Sequence, residues 1–213
     1  MLTLYHAPQS RSSRIVALID EMAISDKVRI HDVNIFRALT GTGAADPANP
    51  HPEGKVPYLV DGAETVREGI AIMLYLLERF PGTGLGADPG APDRGRFLGW
   101  MSYYASVVEP VVLLDKLGID HPFARFAYRG LDEVMAAFRM PLAEWPWLMG
   151  DRYTAVDLVM GSIFGFHPGA MPDDPLIRDW AARCAARPAQ AHVQARDREA
   201  MARIDTAAMA GPA

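Results

Sequence analysis

The chain has 213 residues, 50% of them hydrophobic and 22% charged, ordinary proportions for a globular protein of one large or two small domains. Lys and Arg total 21 against 26 Asp and Glu, a net charge of -5 that offers no basic surface for nucleic-acid phosphates. One cysteine, Cys184, excludes an intrachain disulfide and a thiolate zinc site. His6, His31, His51, His121, His167 and His192 show no metal-ligand spacing, so no metal is expected. No apolar run approaches the ~18 residues of a membrane span. The opening MLTLYHAPQSRSSR lacks the charged and apolar regions of a secretory signal. The expectation is a cytoplasmic protein with no metal, nucleic-acid or membrane partner.

Leu2 to His6 reads as a strand, closed by Ala7-Pro8. Residues 12–23 place Ile15, Leu18, Ile19 and Met22 at helical spacing, with serines at the start, Ser12 being the best capping candidate. Val28, Ile30 and Val33 mark a second strand. VPYLV and ETV flank Asp61-Gly62-Ala63, the pattern of a β-hairpin, and residues 69–80 form an apolar helix stopped by Pro81-Gly82. A βαβ crossover followed by ββα gives a compact α/β layer over residues 1–80. Residues 81–92 (PGTGLGADPGAP) are rich in helix breakers and read as a linker. From 93 to 213 the pattern is all helical, with segments over 93–117, 123–144, 154–166, 174–187 and 189–204. Thr154 and Asp157 stand at the N-cap and N3 spacing of a capping box, with Tyr153 as a hydrophobic staple, a folding role.

Two segments carry candidate chemistry. In NPHPEGKVP, residues 49–57, Pro57 opens a strand without an N–H to give. One reading is a simple edge turn. The other is a cis Val56–Pro57 bond that turns the backbone of Val56 outward to pair with an extended peptide. In REGIAI, residues 67–72, a strand gives way to a helix whose free N–H groups suit a carboxylate. Glu68 there either accepts a ligand ammonium or simply favours the helix start. An amino-acid head group needs both a carboxylate site and an ammonium site.

Together, LYHAPQSRSSR, NPHPEGKVPYLVDG, REGIAIMLYLLERFP, MGDRYTAVDLVMG and IRDWAARCAARP resemble the soluble glutathione transferase superfamily, most closely bacterial members with a theta- or beta-like layout. The resemblance covers almost the whole chain. It implies a thioredoxin-like N-terminal domain (βαβ-ββα), an all-α helical-bundle C-terminal domain, a homodimer, and glutathione as co-substrate. It makes Pro57 the cis-proline, gives Val56 the backbone bonds to the cysteinyl part of glutathione, and sets Glu68 near the γ-glutamyl ammonium. Gly69 stands where the family usually carries Ser or Thr for the γ-glutamyl carboxylate, so a hydroxyl is missing. Lys55 is the candidate for the glycyl carboxylate, against the alternative of a solvated surface lysine.

The family activates a thiol whose free pKa is roughly 8.5, through a hydroxyl near a helix N-terminus. Ser10 sits where delta- and theta-like members place their serine, with Ser12 and Ser13 as alternatives. Gln9 stands where zeta- and beta-like members carry Ser or Cys, which argues against thiol exchange through the protein. Tyr5, inside the strand pattern, reads as a packed tyrosine, and Cys184 as a buried structural thiol. Met101, Tyr104 and Val108 share a helical face, so Tyr103 and Tyr104 are candidates for a hydrophobic-substrate pocket, against a plain core stripe. The reaction implied is conjugation of the glutathione thiolate to a hydrophobic electrophile, in detoxification. The alternatives are a catalytically weak binding or interaction protein, or a glutathione-dependent peroxidase, dehalogenase or isomerase.

Overall fold

The structure, a computed structural model, describes residues 2–203. Its contacts divide the chain into two compact units: residues 2–79 together with 188–203, and Phe80–Arg187. The sequence reading kept everything from residue 93 onward in the helical part. The structure instead groups the last helix with the first unit.

The first unit is a four-stranded mixed sheet of order β2-β1-β3-β4, the thioredoxin-like arrangement, formed by β1 (Leu2–His6), β2 (Val28–Asp32), β3 (Tyr58–Asp61) and β4 (Glu64–Arg67). The central β1 runs parallel to β2, with His6 opposite Asp32, and antiparallel to β3, with Tyr5 opposite Tyr58. β3 and β4 make the expected hairpin around Gly62, with Tyr58 opposite Arg67. Strand alternation sends Leu2, Leu4 and His6 to the same face, and all three are buried. Helix α1 (Ser13–Glu21) makes the parallel crossover and buries Ile15, Val16, Leu18 and Ile19. A short helix, α2 (Phe36–Thr40), with no buried residue to give it a sequence pattern, lies in the long connection. Helix α3 (Gly69–Arg79) covers the sheet with Ile72, Met73, Leu76 and Leu77.

Helix α10 (Pro188–Arg203) packs on α1 and completes this unit. The last residue of its expected span, Ile204, lies outside the described residues. It buries Ala189, Val193 and Ala200, Asp197 ties it to His6 and Ser13, and at its rim His192 Nδ1 lies 2.9 Å from Asp20 and Arg196 donates to Asp32 at 2.8 Å.

The second unit is helical: α4 (Arg94–Tyr103), α5 (Glu109–Lys116), α6 (Pro122–Tyr128), α7 (Leu131–Leu142), α8 (Ala155–Phe166) and α9 (Pro175–Ala185). A π-helical turn, Tyr104–Val108, joins α4 to α5. Pro110 has no N–H for the carbonyl four residues back, and the helix widens there. By length and composition the continuous stretch Arg94–Lys116 would pass as a membrane span, unlike the sequence expectation. In the fold it buries Phe97, Met101, Tyr104, Val108 and Val112 within the helical unit. The single helix expected over 123–144 is two helices. Arg129 takes φ 66, left-handed backbone that breaks the run before Gly130 caps α7.

The capping box forms as the spacing predicts. Thr154 Oγ1 accepts the N–H of Val156, and Asp157 accepts the N–H of Thr154 at 2.9 Å. Asp157 also accepts the Leu148 N–H at 2.9 Å and the Trp180 indole at 3.0 Å, so one carboxylate ties a loop, α8 and α9 together. At Gly161 a Cβ would stand 2.9 Å from the Cys184 Cβ, so glycine permits α8 and α9 to approach closely.

Candidate functional site

Sheet register brings three segments to one end of the first unit. β1 ends at His6, β3 begins at Tyr58 opposite Tyr5, and β4 ends at Arg67 opposite Tyr58. The chain therefore leaves or enters the sheet there at Ala7–Ser12, at Val56–Pro57 and at Glu68–Gly69. Helices α1 and α3 also start at this end, so their positive dipole ends converge on it.

The first segment is folded around two side chains that local reading cannot pair. His6 is fully buried, and its Nδ1 lies 2.7 Å from Ser12 Oγ. Its Nε2 lies 2.9 Å from Oδ1 of Asp197, on α10. Asp197 Oδ2 accepts the Gln9 N–H at 2.8 Å and the Ser13 hydroxyl at 2.6 Å. Burial pushes the Asp197 carboxyl up, but hydrogen bonds from His6, Ser13 and the Gln9 N–H outweigh it, and the group stays below its ordinary value. Gln9 itself takes φ 55, a left-handed conformation that non-glycine residues adopt at a cost, immediately before Ser10.

The three candidate serines are not equivalent. Ser12 is fully buried and makes no side-chain cap, contrary to its expected capping role; its Oγ accepts the Ala7 N–H at 3.2 Å and faces His6. Ser13 is committed to Asp197. Ser10 is half-buried, and its Oγ lies 2.7 Å from both the Ala7 carbonyl oxygen and Ser12 Oγ. The Ser12 N–H donates to Ser10 Oγ at 3.2 Å.

In the second segment the Val56–Pro57 bond is cis, and Pro57 is buried. Among the described residues, neither the N–H nor the carbonyl of Val56 has a hydrogen-bond partner. The Asn49 amide donates to the Lys55 carbonyl at 3.2 Å and steadies the approach to the turn. The Lys55 ammonium lies 2.8 Å from Glu53, both well exposed, and Glu53 pushes the Lys55 pKa up.

In the third segment Glu68 takes φ 68, a second strained non-glycine residue, and its exposed carboxylate has no direct partner among the described residues. Gly69 opens α3 next to Pro57, since a Cβ built on it would lie 3.9 Å from the proline Cγ. The second and third segments are thus neighbours.

Elsewhere, Tyr5 packs in the sheet against His31 and Tyr58, with ring centroids 5.3 and 6.3 Å away. Tyr104 is 1% exposed, in the core of the helical unit with Met101 and Val108. Tyr103 is half-buried against Trp100, at 5.9 Å between centroids. Cys184 is buried, and burial pushes its thiol pKa up. The sequence pattern gives neither His6 nor Asp197 a role in the site. His6 had a signal, a polar residue in phase with Leu2 and Leu4, whereas Asp197 lies 191 residues away with none.

Residues 4–84 match the family model described as the glutathione S-transferase N-terminal domain. Glutathione S-transferase F10 of Arabidopsis thaliana is 25% identical over 215 residues, covering 92% of this chain and 97% of its own. A dichloromethane dehalogenase of Methylorubrum extorquens is 43% identical over 56 residues, 25% of this chain and 19% of its own. Among solved structures, a glutathione transferase from Methylococcus capsulatus superposes with TM-score 0.72 at 26% identity, covering 93% of this chain and all of its own (100%). A sphingomonad glutathione S-transferase complexed with glutathione has the same fold, with TM-score 0.71 at 23% identity, covering 92% of this chain and 98% of its own. The fold, the family match over residues 4–84 and the relatives aligned nearly end to end agree, and together they support membership of the soluble glutathione transferase superfamily.

Proposed function

We propose that this protein is a glutathione transferase that binds glutathione at the converged sheet end, ionises its thiol beside Ser10, and adds the thiolate to a hydrophobic electrophile. Glutathione transfer in the general sense follows from the family and its named relatives. The finer reading rests above all on the convergence of an unpartnered Val56 backbone, the α3 start with Glu68, and a half-buried Ser10 at one end of the sheet.

Each segment has a part. The Val56 N–H and carbonyl pair with the extended cysteinyl residue as a neighbouring strand would. The Gly69 N–H at the α3 start takes the γ-glutamyl carboxylate and Glu68 takes the ammonium. Ser10 supplies a hydroxyl donor that favours the charged form of the sulfur. Lys55 exchanges Glu53 for the glycyl carboxylate. The assembly is a homodimer working in the cytoplasm in detoxification, a placement that rests on the family resemblance.

The direct experiment is conjugation of glutathione to a generic aryl halide by wild-type protein and by Ser10→Ala. Turnover that falls while glutathione binding persists supports the assignment. Equal turnover in the variant refutes it. A second reading, dehalogenation of a small alkyl halide, is favoured by the local 43% identity to the dichloromethane dehalogenase. It uses the same thiolate and is separated by measuring halide release. The missing hydroxyl at Gly69 favours a weakly catalytic binding protein instead, and binding without turnover on any electrophile class would establish that.

A further inference from the structure

Ser10, the proposed donor to sulfur, does not stand alone: it ends a buried chain of hydrogen bonds from Asp197 through His6 and Ser12. Successive distances along the chain are 2.9, 2.7 and 2.7 Å. Three of its four members are essentially sealed from water: His6 and Ser12 at 0% exposure and Asp197 at 3%. Only Ser10 is partly exposed. Such a chain is more than packing needs, because a buried imidazole with both nitrogens satisfied must carry its protons in a definite order.

That order follows from the donors and acceptors. The ionised Asp197 carboxylate accepts only, so His6 Nε2 carries a proton. In neutral His6, Nδ1 then accepts, and it captures the single hydroxyl proton of Ser12. Ser12 Oγ is left as an acceptor for the Ala7 N–H and for Ser10, and the Ser10 proton is held inward on Ser12 Oγ or the Ala7 carbonyl. If His6 gains a proton at Nδ1, the His6–Ser12 and Ser12–Ser10 bonds reverse, while Nε2 goes on donating to Asp197. His6 Nδ1–H donates to Ser12, Ser12 donates to Ser10, and the Ser10 proton is freed to point out of the chain. A hydroxyl that accepts from another donor is also the stronger donor itself.

We propose that the Asp197–His6–Ser12 chain is the internal acceptor of the thiol proton, delivered through Ser10 when the ligand sulfur ionises. This rests on the reading of the site as a glutathione site. The sulfur–hydrogen bond breaks, and its electron pair stays on sulfur. The thiol proton moves to Ser10 Oγ, the Ser10 proton to Ser12 Oγ, and the Ser12 proton to His6 Nδ1. One S–H is lost, one N–H is gained, and no proton leaves the protein. The imidazolium is then paired with Asp197. The other charged groups close by are Arg196 on α10, 3.8 Å from Asp197 Oδ1, and Asp32 on β2, which accepts from Arg196 at 2.8 Å. Helix α1 contributes the Ser12 and Ser13 hydroxyls. His6 and Ser12 are positioning residues, acting on sulfur only through Ser10.

Three measurements in wild-type protein near pH 7 test this. Ultraviolet difference absorbance counts bound thiolate. Binding heats in two buffers of different ionisation heat count protons released. Nitrogen NMR with labelled histidine reports the state of the buried ring. Free glutathione near neutral pH is only a few per cent thiolate, so each thiolate formed must send a proton somewhere. The expected result is bound thiolate with far less than one proton released for each, and both His6 nitrogens protonated on binding. One proton released per thiolate, with the His6 ring unchanged, overturns the relay and leaves glutathione binding standing. No binding heat at all overturns the site reading and the relay together. Ser12→Ala, which cuts the chain, is expected to lower bound thiolate at least tenfold or to raise release toward one proton per thiolate; wild-type behaviour in that variant overturns the relay. Asp197→Asn, at the far end and nearly isosteric, is expected to act in the same direction.

Discussion

Each unit is organised around one buried aspartate, and the two differ in what they hold. Asp157 in the helical unit collects two backbone N–H groups, the Thr154 hydroxyl and an indole. Its N–H donors cannot lose or redirect their protons under ordinary conditions, so the network has one state. Asp197 collects an imidazole, a hydroxyl and one backbone N–H. An imidazole can take up a proton where an indole cannot, so this network has at least two states. The carboxyl pKa values move oppositely. Burial pushes Asp157 up despite its hydrogen bonds, whereas the bonds to Asp197 outweigh its burial. The same side chain thus serves as a fixed staple in one unit and as the anchor of a responsive chain in the other.

The largest effect expected from breaking this comparison is on stability. Asp157→Ala leaves several buried donors unsatisfied, each at about 1–3 kcal/mol before relaxation, so roughly 3 kcal/mol or more should be lost. Denaturant unfolding measures it, and activity per folded molecule should hold. Ser10→Ala at the end of the other network should lower turnover near pH 7 about 25-fold, the fall in thiolate fraction when a thiol depressed by about two units returns to roughly 8.5. Its unfolding midpoint should change little, because Ser10 is half-buried.

Smaller effects sharpen the contrast. Gly69→Ser restores the hydroxyl usual in the family at a position where an added Cβ meets Pro57 at an ordinary 3.9 Å. Glutathione affinity should rise about tenfold, or 1.4 kcal/mol, by calorimetry. An unchanged affinity would mean that the α3 N–H already suffices. The subtlest effect is on pH dependence. The folded pKa of Asp197 lies below its unfolded value, so folding favours the carboxylate. Its contribution is complete above the ordinary carboxylate range and is lost as pH falls below about 4 toward the lower folded value. Asp197→Asn should flatten the acid side of the stability profile. Asp157→Asn should not, because its shift has the opposite sign.

How much of this was legible in the sequence follows from the range of the interactions. The β3–β4 hairpin, the α1 and α3 spans and the Thr154 capping box are written within a few residues, in alternation, helical spacing and turn chemistry. The structure carries each of them. The cis bond at Pro57 was one of two open readings, and the structure adopts it. Local patterns failed where tertiary contacts decide. α10 reads as one more bundle helix, yet its buried Val193 and Asp197 seat it on the first unit. The break at Arg129–Gly130 interrupts no apolar period. Ser12 looked like a helix cap because its position permits one, but a histidine six residues earlier takes its hydroxyl. Of the site, the segments were legible; the chain behind Ser10 was not, since its anchor, Asp197, comes from the far end of the sequence.

The most direct test of the account is the thiolate absorbance of glutathione titrated into the protein below the free thiol pKa, at about pH 6.5 against roughly 8.5. A saturable thiolate signal, lost in Ser10→Ala while binding heat remains, is the predicted result. Glutathione that binds with no thiolate signal, or a signal that survives the loss of Ser10, would contradict it.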